Sequence, residues 1–165
     1  MQRHTITAGI GLAIVVLFGV YLYRSVTVEA VAGENDYRLA NRQLADGASD
    51  TALRTFESAI SKNSDYAPAY AGKAIALMQL KRAPEALESF NIALTIDPEF
   101  ADAYANRGIL HDRQGRHEAA LKDYQRALSL KPDLGKGPGM IWRFLHSPGD
   151  KPATLAARAD YIAQE

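Results

Sequence analysis

The chain has 165 residues with 19 basic and 19 acidic side chains, so its formal net charge is zero. Phosphate binding needs a clustered positive excess, and residues 33–134 carry 13 basic against 15 acidic side chains, which argues against a nucleic-acid partner. Cysteine is absent, which removes disulfides, thiolate metal sites and cysteine nucleophiles.

The first predicted element is apolar. After a short tail, 1–5, residues 6–23 read "ITAGIGLAIVVLFGVYLY", with no charge among them. A helix of that length spans ~27 Å at ~1.5 Å per residue, close to the ~30 Å hydrocarbon core of a bilayer. Arg3 and His4 flank one end; Tyr21, Tyr23 and Arg24 flank the other. Tyrosines beside a basic residue suit a membrane–water interface. The pattern predicts a transmembrane helix over 6–24 and a linker over 25–32. A cleaved signal peptide competes with that reading, because "AVA" at 30–32 fits a small-x-small cleavage site and would leave Gly33 first. Against cleavage, Arg24 to Ala32 is a long cleavage region and the apolar run exceeds most signal cores. A short basic tail stays cytoplasmic, so the bulk of the chain is expected across the membrane. In a bacterium that means an inner-membrane anchor with a periplasmic domain.

Residues 33–134 then divide without a gap into three 34-residue segments, 33–66, 67–100 and 101–134. Position 8 holds Ala40, Ala74 and Gly108; position 20 holds Ala52, Ala86 and Ala120; position 27 holds Ala59, Ala93 and Ala127. Position 24 holds Phe56, Phe90 and Tyr124. Small residues at three fixed places let two helices approach closely, and the aromatic fills the space between neighbouring hairpins. The second helix of each segment repeats one stripe, as in Leu87, Phe90, Ala93 and Leu94, a single helical face. Pro84 suits a first helical turn, while Pro98 and Pro132 follow helix ends.

This pattern resembles the tetratricopeptide repeat family over about 102 residues, as a small bacterial-type, membrane-anchored member. The resemblance implies an all-α solenoid of three helical hairpins, A and B in each. Segment one departs from it with Asp36 for an aromatic and Ser64 for proline. Lys73 and Arg107 stand at position 7, normally leucine, and His111 at position 11, normally aromatic. An atypical first repeat is expected at the end of an array.

Residues 135–165 are expected to cap the last repeat, since an array must cover its exposed apolar face. Met140, Ile141, Trp142, Phe144 and Leu145 form an apolar cluster, and Thr154 is a candidate N-cap for a helix over 155–163. Trp142 and Arg143 are also residue types favoured at binding hot spots, so the tail is a second candidate docking surface.

No catalytic constellation is present: no G-x-S-x-G, H-E-x-x-H or P-loop. The four histidines are scattered, with no metal-ligand spacing. The reading is therefore not an enzyme, with no cofactor, metal or small-molecule substrate. The resemblance implies instead a groove lined by A helices at positions 5, 9 and 12 or 13. Here these are Tyr37, Asn41 and Leu44; Ala71, Ile75, Met78 and Gln79; and Ala105, Ile109, Asp112 and Arg113. The competing reading of Ile75 and Ile109 is core. Some relatives grip a C-terminal carboxylate with Lys and Asn on the first helix and basic residues on the third repeat. Asn41 is present, but Tyr37 replaces that lysine, and Asp102 and Asn106 replace the basic pair, which argues against a chaperone-tail ligand. The expected function is a membrane-anchored module that offers a groove to a partner's peptide or helix, as an assembly factor or accessory subunit of a membrane complex. The alternative is a self-associating scaffold at the membrane.

Overall fold

A computed structural model describes residues 31–136 and 154–164. The transmembrane helix expected over 6–24 and the Trp142–Arg143 cluster lie outside these residues. Among the described residues no helix is long and apolar enough to cross a membrane.

The repeats fold as six helices in three hairpins: α1 (Glu34–Ala45) with α2 (Ser49–Lys62), α3 (Ala67–Gln79) with α4 (Ala83–Ile96), and α5 (Ala101–Arg113) with α6 (His117–Leu130). A short 3₁₀ turn, Pro132–Gly135, follows α6, and α7 (Leu155–Ile162) comes last. Each hairpin packs on itself. The B helices α2 and α4 pack against the A helices that follow them, α3 and α5. Successive A helices also touch, α1 against α3 and α3 against α5, so they line one side of the array.

The local reasons recur with the repeat. Each A helix ends at position 15 in the left-handed region: Gly47 at φ 78°, Lys81 at 60° and Gly115 at 70°. The backbone closes there with paired bonds, as in Gly47 N–H to Leu44 O (3.1 Å) and Ala48 N–H to Gln43 O (2.8 Å). This six-to-one and five-to-two pairing satisfies the last carbonyls of the helix and reverses the chain. Glycine suits the position because it has no Cβ to clash, and the second repeat forces a lysine into the same conformation. The B helices end on extended residues, Asn63 and Asp97, whose side chains accept from the N–H two residues on, at 3.0 Å from Asp65 and 2.9 Å from Glu99. That side-chain turn works equally well before Ser64 and before Pro98.

The small residues at positions 8, 20 and 27 are all buried, and so are Phe56, Phe90 and Tyr124. Their sizes are matched. A Cβ added at Gly108 would fall 2.6 Å from the Tyr124 ring, and one added at Gly72 would fall 2.3 Å from the Phe56 ring of the preceding repeat. The aromatics of α2 and α6 therefore occupy space that a neighbouring glycine gives up.

At the far end Thr154 caps α7, its Oγ1 accepting from the Ala157 N–H at 3.0 Å. The helix stops at Ile162, one residue short of the expected end. Ala159 and Ile162 are buried, and Leu155 packs against the same core. α7 lies on α6 and on the 3₁₀ turn.

Candidate functional site

The A-helix positions named from the sequence divide by depth. Leu44, Ala71, Met78, Ala105 and Ile109 are buried, and Leu44, Ala71, Met78 and Ile109 belong to the core cluster. Position 12 in the first two repeats, Leu44 and Met78, therefore packs inward. Ile75 is half-buried against the core. Tyr37, Asn41, Gln79 and Asp112 are half-buried and Arg113 is exposed.

Several of these side chains already have partners. Tyr37 meets the Tyr66 ring edge-on at 5.4 Å and the Phe56 ring at 6.0 Å. Asn41 Nδ2 donates to the Tyr37 carbonyl at 3.0 Å, one turn back on the same helix. Gln79 Oε1 accepts from the Ser49 hydroxyl, so the second repeat is tied to the first at this end. Asp112 is the most elaborately held. Arg158 of α7 forks onto it, Nε to Oδ2 and Nη2 to Oδ1, both at 2.7 Å. The Tyr124 hydroxyl donates to Oδ2 at 3.3 Å, and His117 Nε2 lies 4.0 Å from Oδ1. Burial alone would raise the Asp112 pKa, but the Arg158 hydrogen bonds and charge and the Tyr124 hydroxyl outweigh it, and the carboxyl stays below the ordinary aspartate value. Burial beside that carboxylate pushes the Tyr124 phenol well above its usual range.

The basic residues at position 7 have a common role that sequence reasoning missed. Arg107 Nη1 donates to Asn91 Oδ1 at 2.7 Å, and Lys73 Nζ lies 3.2 Å from Glu57 Oε1. Asn91 and Glu57 occupy the same position, 25, of the preceding repeat, so each cation spans two repeats. Arg107 also forks onto Asp123 in its own hairpin, Nε to Oδ2 at 2.8 Å and Nη2 to Oδ1 at 2.7 Å. Asp123 is buried, and a fully paired carboxylate there is tolerable where an unpaired one is not. The available signal was an acid at position 23 where repeats one and two carry Thr55 and Ser89. His111, in the place of an aromatic, stands 4.0 Å from the same carboxylate. In the first repeat Asp36 replaces an aromatic and becomes a polar clasp. It accepts from the Ser58 hydroxyl at 2.5 Å and meets Lys62 Nζ at 2.7 Å, and hydrogen bonds from Lys62 and then Ser58 hold its carboxyl below the usual value.

Tetratricopeptide repeat models match residues 37–99 and 101–134, more than half of the chain. The chain belongs to the tetratricopeptide repeat family. Its repeats form a protein-interaction fold of helical hairpins. Similar solved structures include the Arabidopsis OM64 TPR domain, 20% identical, with 81% of this chain and 95% of that one covered at a TM-score of 0.65. The first TPR of Spaghetti (RPAP3), bound to the HSP90 peptide SRMEEVD, is 19% identical, with 84% and 96% covered at 0.65. The TPR2B domain of yeast Sti1, in a complex with an Hsp70 peptide, is 18% identical, with 82% and 98% covered at 0.64. At these identities the likeness establishes the fold alone. A sequence search of curated proteins finds no match.

Among the described residues no group of three or more histidine, aspartate or glutamate side chains stands where it could hold a metal ion.

Proposed function

We propose that the side formed by α1, α3 and α5 holds a peptide or helical segment of a protein partner. The carrying observation is the side-by-side contact of successive A helices, on two of which Tyr37, Asn41 and Ile75 remain half-buried. Tyr37 and Ile75, partly open beside the polar Asn41 and the exposed Arg113, suit an apolar anchor residue with polar neighbours on the ligand. Two similar structures hold chaperone peptides, which supports a peptide-sized ligand. The ligand here is not an acidic chaperone tail, because Tyr37, Asp102 and Asn106 supply no cationic pair for a terminal carboxylate, and Asn106 is buried. The module is anchored by residues 6–24 in the inner membrane of a bacterium, with the repeats in the periplasm, and serves a membrane complex as an assembly factor or accessory subunit. The uncharged run Ile6–Tyr23 supports the anchor.

The test is photo-cross-linking of the full-length protein in native membranes from benzoylphenylalanine at position 75, with position 92 on the exposed side of α4 as control. The expected result is one discrete partner captured from 75 and not from 92. Capture from 92 alone would move the surface to the B helices. Release of the protein by a high-pH carbonate wash, or a mature N-terminus at Gly33, would remove the anchor from the proposal.

A self-associating scaffold is favoured by one observation, the exposure of Leu39. It stands at position 7 of the first repeat, where Lys73 and Arg107 meet a preceding repeat. A protein lacking residues 1–32 should elute as a concentration-dependent oligomer if that reading holds, and as a monomer if the groove reading does.

A further inference from the structure

The third hairpin is closed by α7 through a contact with two chemically different halves. The apolar half buries Ala159 and Ile162 and draws in Leu155. Ala156 fits closely over Gly135, where an added Cβ would stand 3.3 Å from the Ala156 Cβ. The polar half is the Arg158 fork onto Asp112. Asp112 is also the position-12 residue of the third repeat's A helix, so one carboxylate serves both the partner-binding side and α7. An eight-residue helix does not hold itself together in water, so the order of α7 comes from this docking. It joins the repeats through residues 137–153.

We propose that Asp112, His117, Tyr124 and Leu128 form an exchangeable docking site for an amphipathic helix of stated chemistry: one arginine, a small residue next to it and an aliphatic residue four positions after the arginine. In the resting chain α7 supplies that helix, with Arg158, Ala159 and Ile162 in those places. A partner segment of the same pattern takes the site by displacing it. The choice of arginine follows from the carboxylate: both oxygens of Asp112 are engaged in parallel, a geometry that a guanidinium matches and an ammonium does not. With α7 removed, Asp112 keeps the Tyr124 hydroxyl and the neighbouring His117 and loses its only forked donor among the described contacts. The small residue follows from the burial of Ala159 in the core, and the aliphatic one from the burial of Ile162. This inference rests on the groove reading only for the identity of the partner side; the docking chemistry stands by itself.

The probe is a fluorescent peptide of residues 154–164 added to the full-length chain. Because the chain has no cysteine, Gly135→Cys with Ala156→Cys introduces one disulfide across the contact, at a Cβ separation near that of natural bridges. The oxidised double variant should refuse the peptide and regain it on reduction. Arg158→Ala, which weakens the resident helix, should bind the peptide about tenfold more tightly than the unaltered chain. A peptide carrying the same substitution should lose that gain. Arg158→Lys keeps the charge without the fork and should fall between; it replaces Arg158→Ala if that variant does not fold by circular dichroism. Equal peptide binding by the oxidised and reduced forms, or none by either Arg158 variant, would overturn the proposal. Such a failure with cross-linking from position 75 intact retires the exchange alone. Peptide exchange without cross-linking from position 75 retires the groove alone.

Discussion

Replacing Arg107 by methionine should cost about 2–4 kcal/mol of stability. The side chain of Asp123 is 8% exposed and that of Arg107 is 21% exposed. Removing the guanidinium strips Asp123 of two hydrogen bonds and leaves a buried carboxylate beside a half-buried histidine. Breaking a fully buried pair costs ~3–5 kcal/mol, and partial water access at Arg107 brings the expectation slightly lower. The same substitution cuts the Arg107–Asn91 bond, which joins the second and third repeats. Cooperativity in a repeat array depends on such interfaces, so the urea transition should broaden as well as shift. The midpoint of thermal unfolding should fall by roughly 8–16 °C for a domain of this size. Urea and thermal unfolding followed by circular dichroism, on protein lacking residues 1–32, measure both. Two comparisons make the reasoning refutable. Lys73→Met removes the other position-7 cation, whose partner Glu57 is half exposed, and should cost less than ~0.5 kcal/mol. Arg107→Leu with Asp123→Ser removes both charges, gives position 7 its usual leucine and position 23 the serine of repeat two, and should lie within ~1 kcal/mol of the unaltered protein. A single Arg107 variant that costs under ~1 kcal/mol, or a double variant as damaged as the single one, would refute the argument.

Lys81→Gly should stabilise the protein by ~0.5–1 kcal/mol, because the residue sits at φ 60° where both other repeats use glycine; urea unfolding reads it, and a loss of stability would mean that the lysine side chain holds the turn. Gly108→Ala should destabilise by ~1–3 kcal/mol through collision with the Tyr124 ring, whereas Gly115→Ala meets no atom and pays only for its left-handed backbone. Burial holds the His111 imidazole below the ordinary value of 6.5, so just below that pH the folded chain binds fewer protons than the unfolded chain. Stability is fully present above about 6.5 and is lost as pH falls below it, and His111→Phe should flatten that part of the profile measured by urea unfolding.

Much of this fold was legible before any coordinates. A 34-residue period with small residues at positions 8, 20 and 27 and an aromatic at 24 has one economical solution, a close-packed helical hairpin, because only small side chains permit the approach and only a large one fills the gap it leaves. The hairpins, their order and the Thr154 cap all follow from local rules that each segment satisfies by itself. The partner-binding side was less legible, because positions 5, 9 and 12 recur with the same helical period whether they face a ligand or the core. Tertiary packing decided that Met78, Leu44 and Ile109 go inward while Tyr37 and Asn41 stay partly open. The charged residues were the least legible. Lys73 and Arg107 looked misplaced because their partners lie 16 residues upstream or downstream on other helices, at Glu57, Asn91 and Asp123. Arg158 finds Asp112 across 46 residues of chain. Period and composition report what one helix prefers, whereas an ion pair depends on which helices lie side by side, and only the folded array brings those charges together.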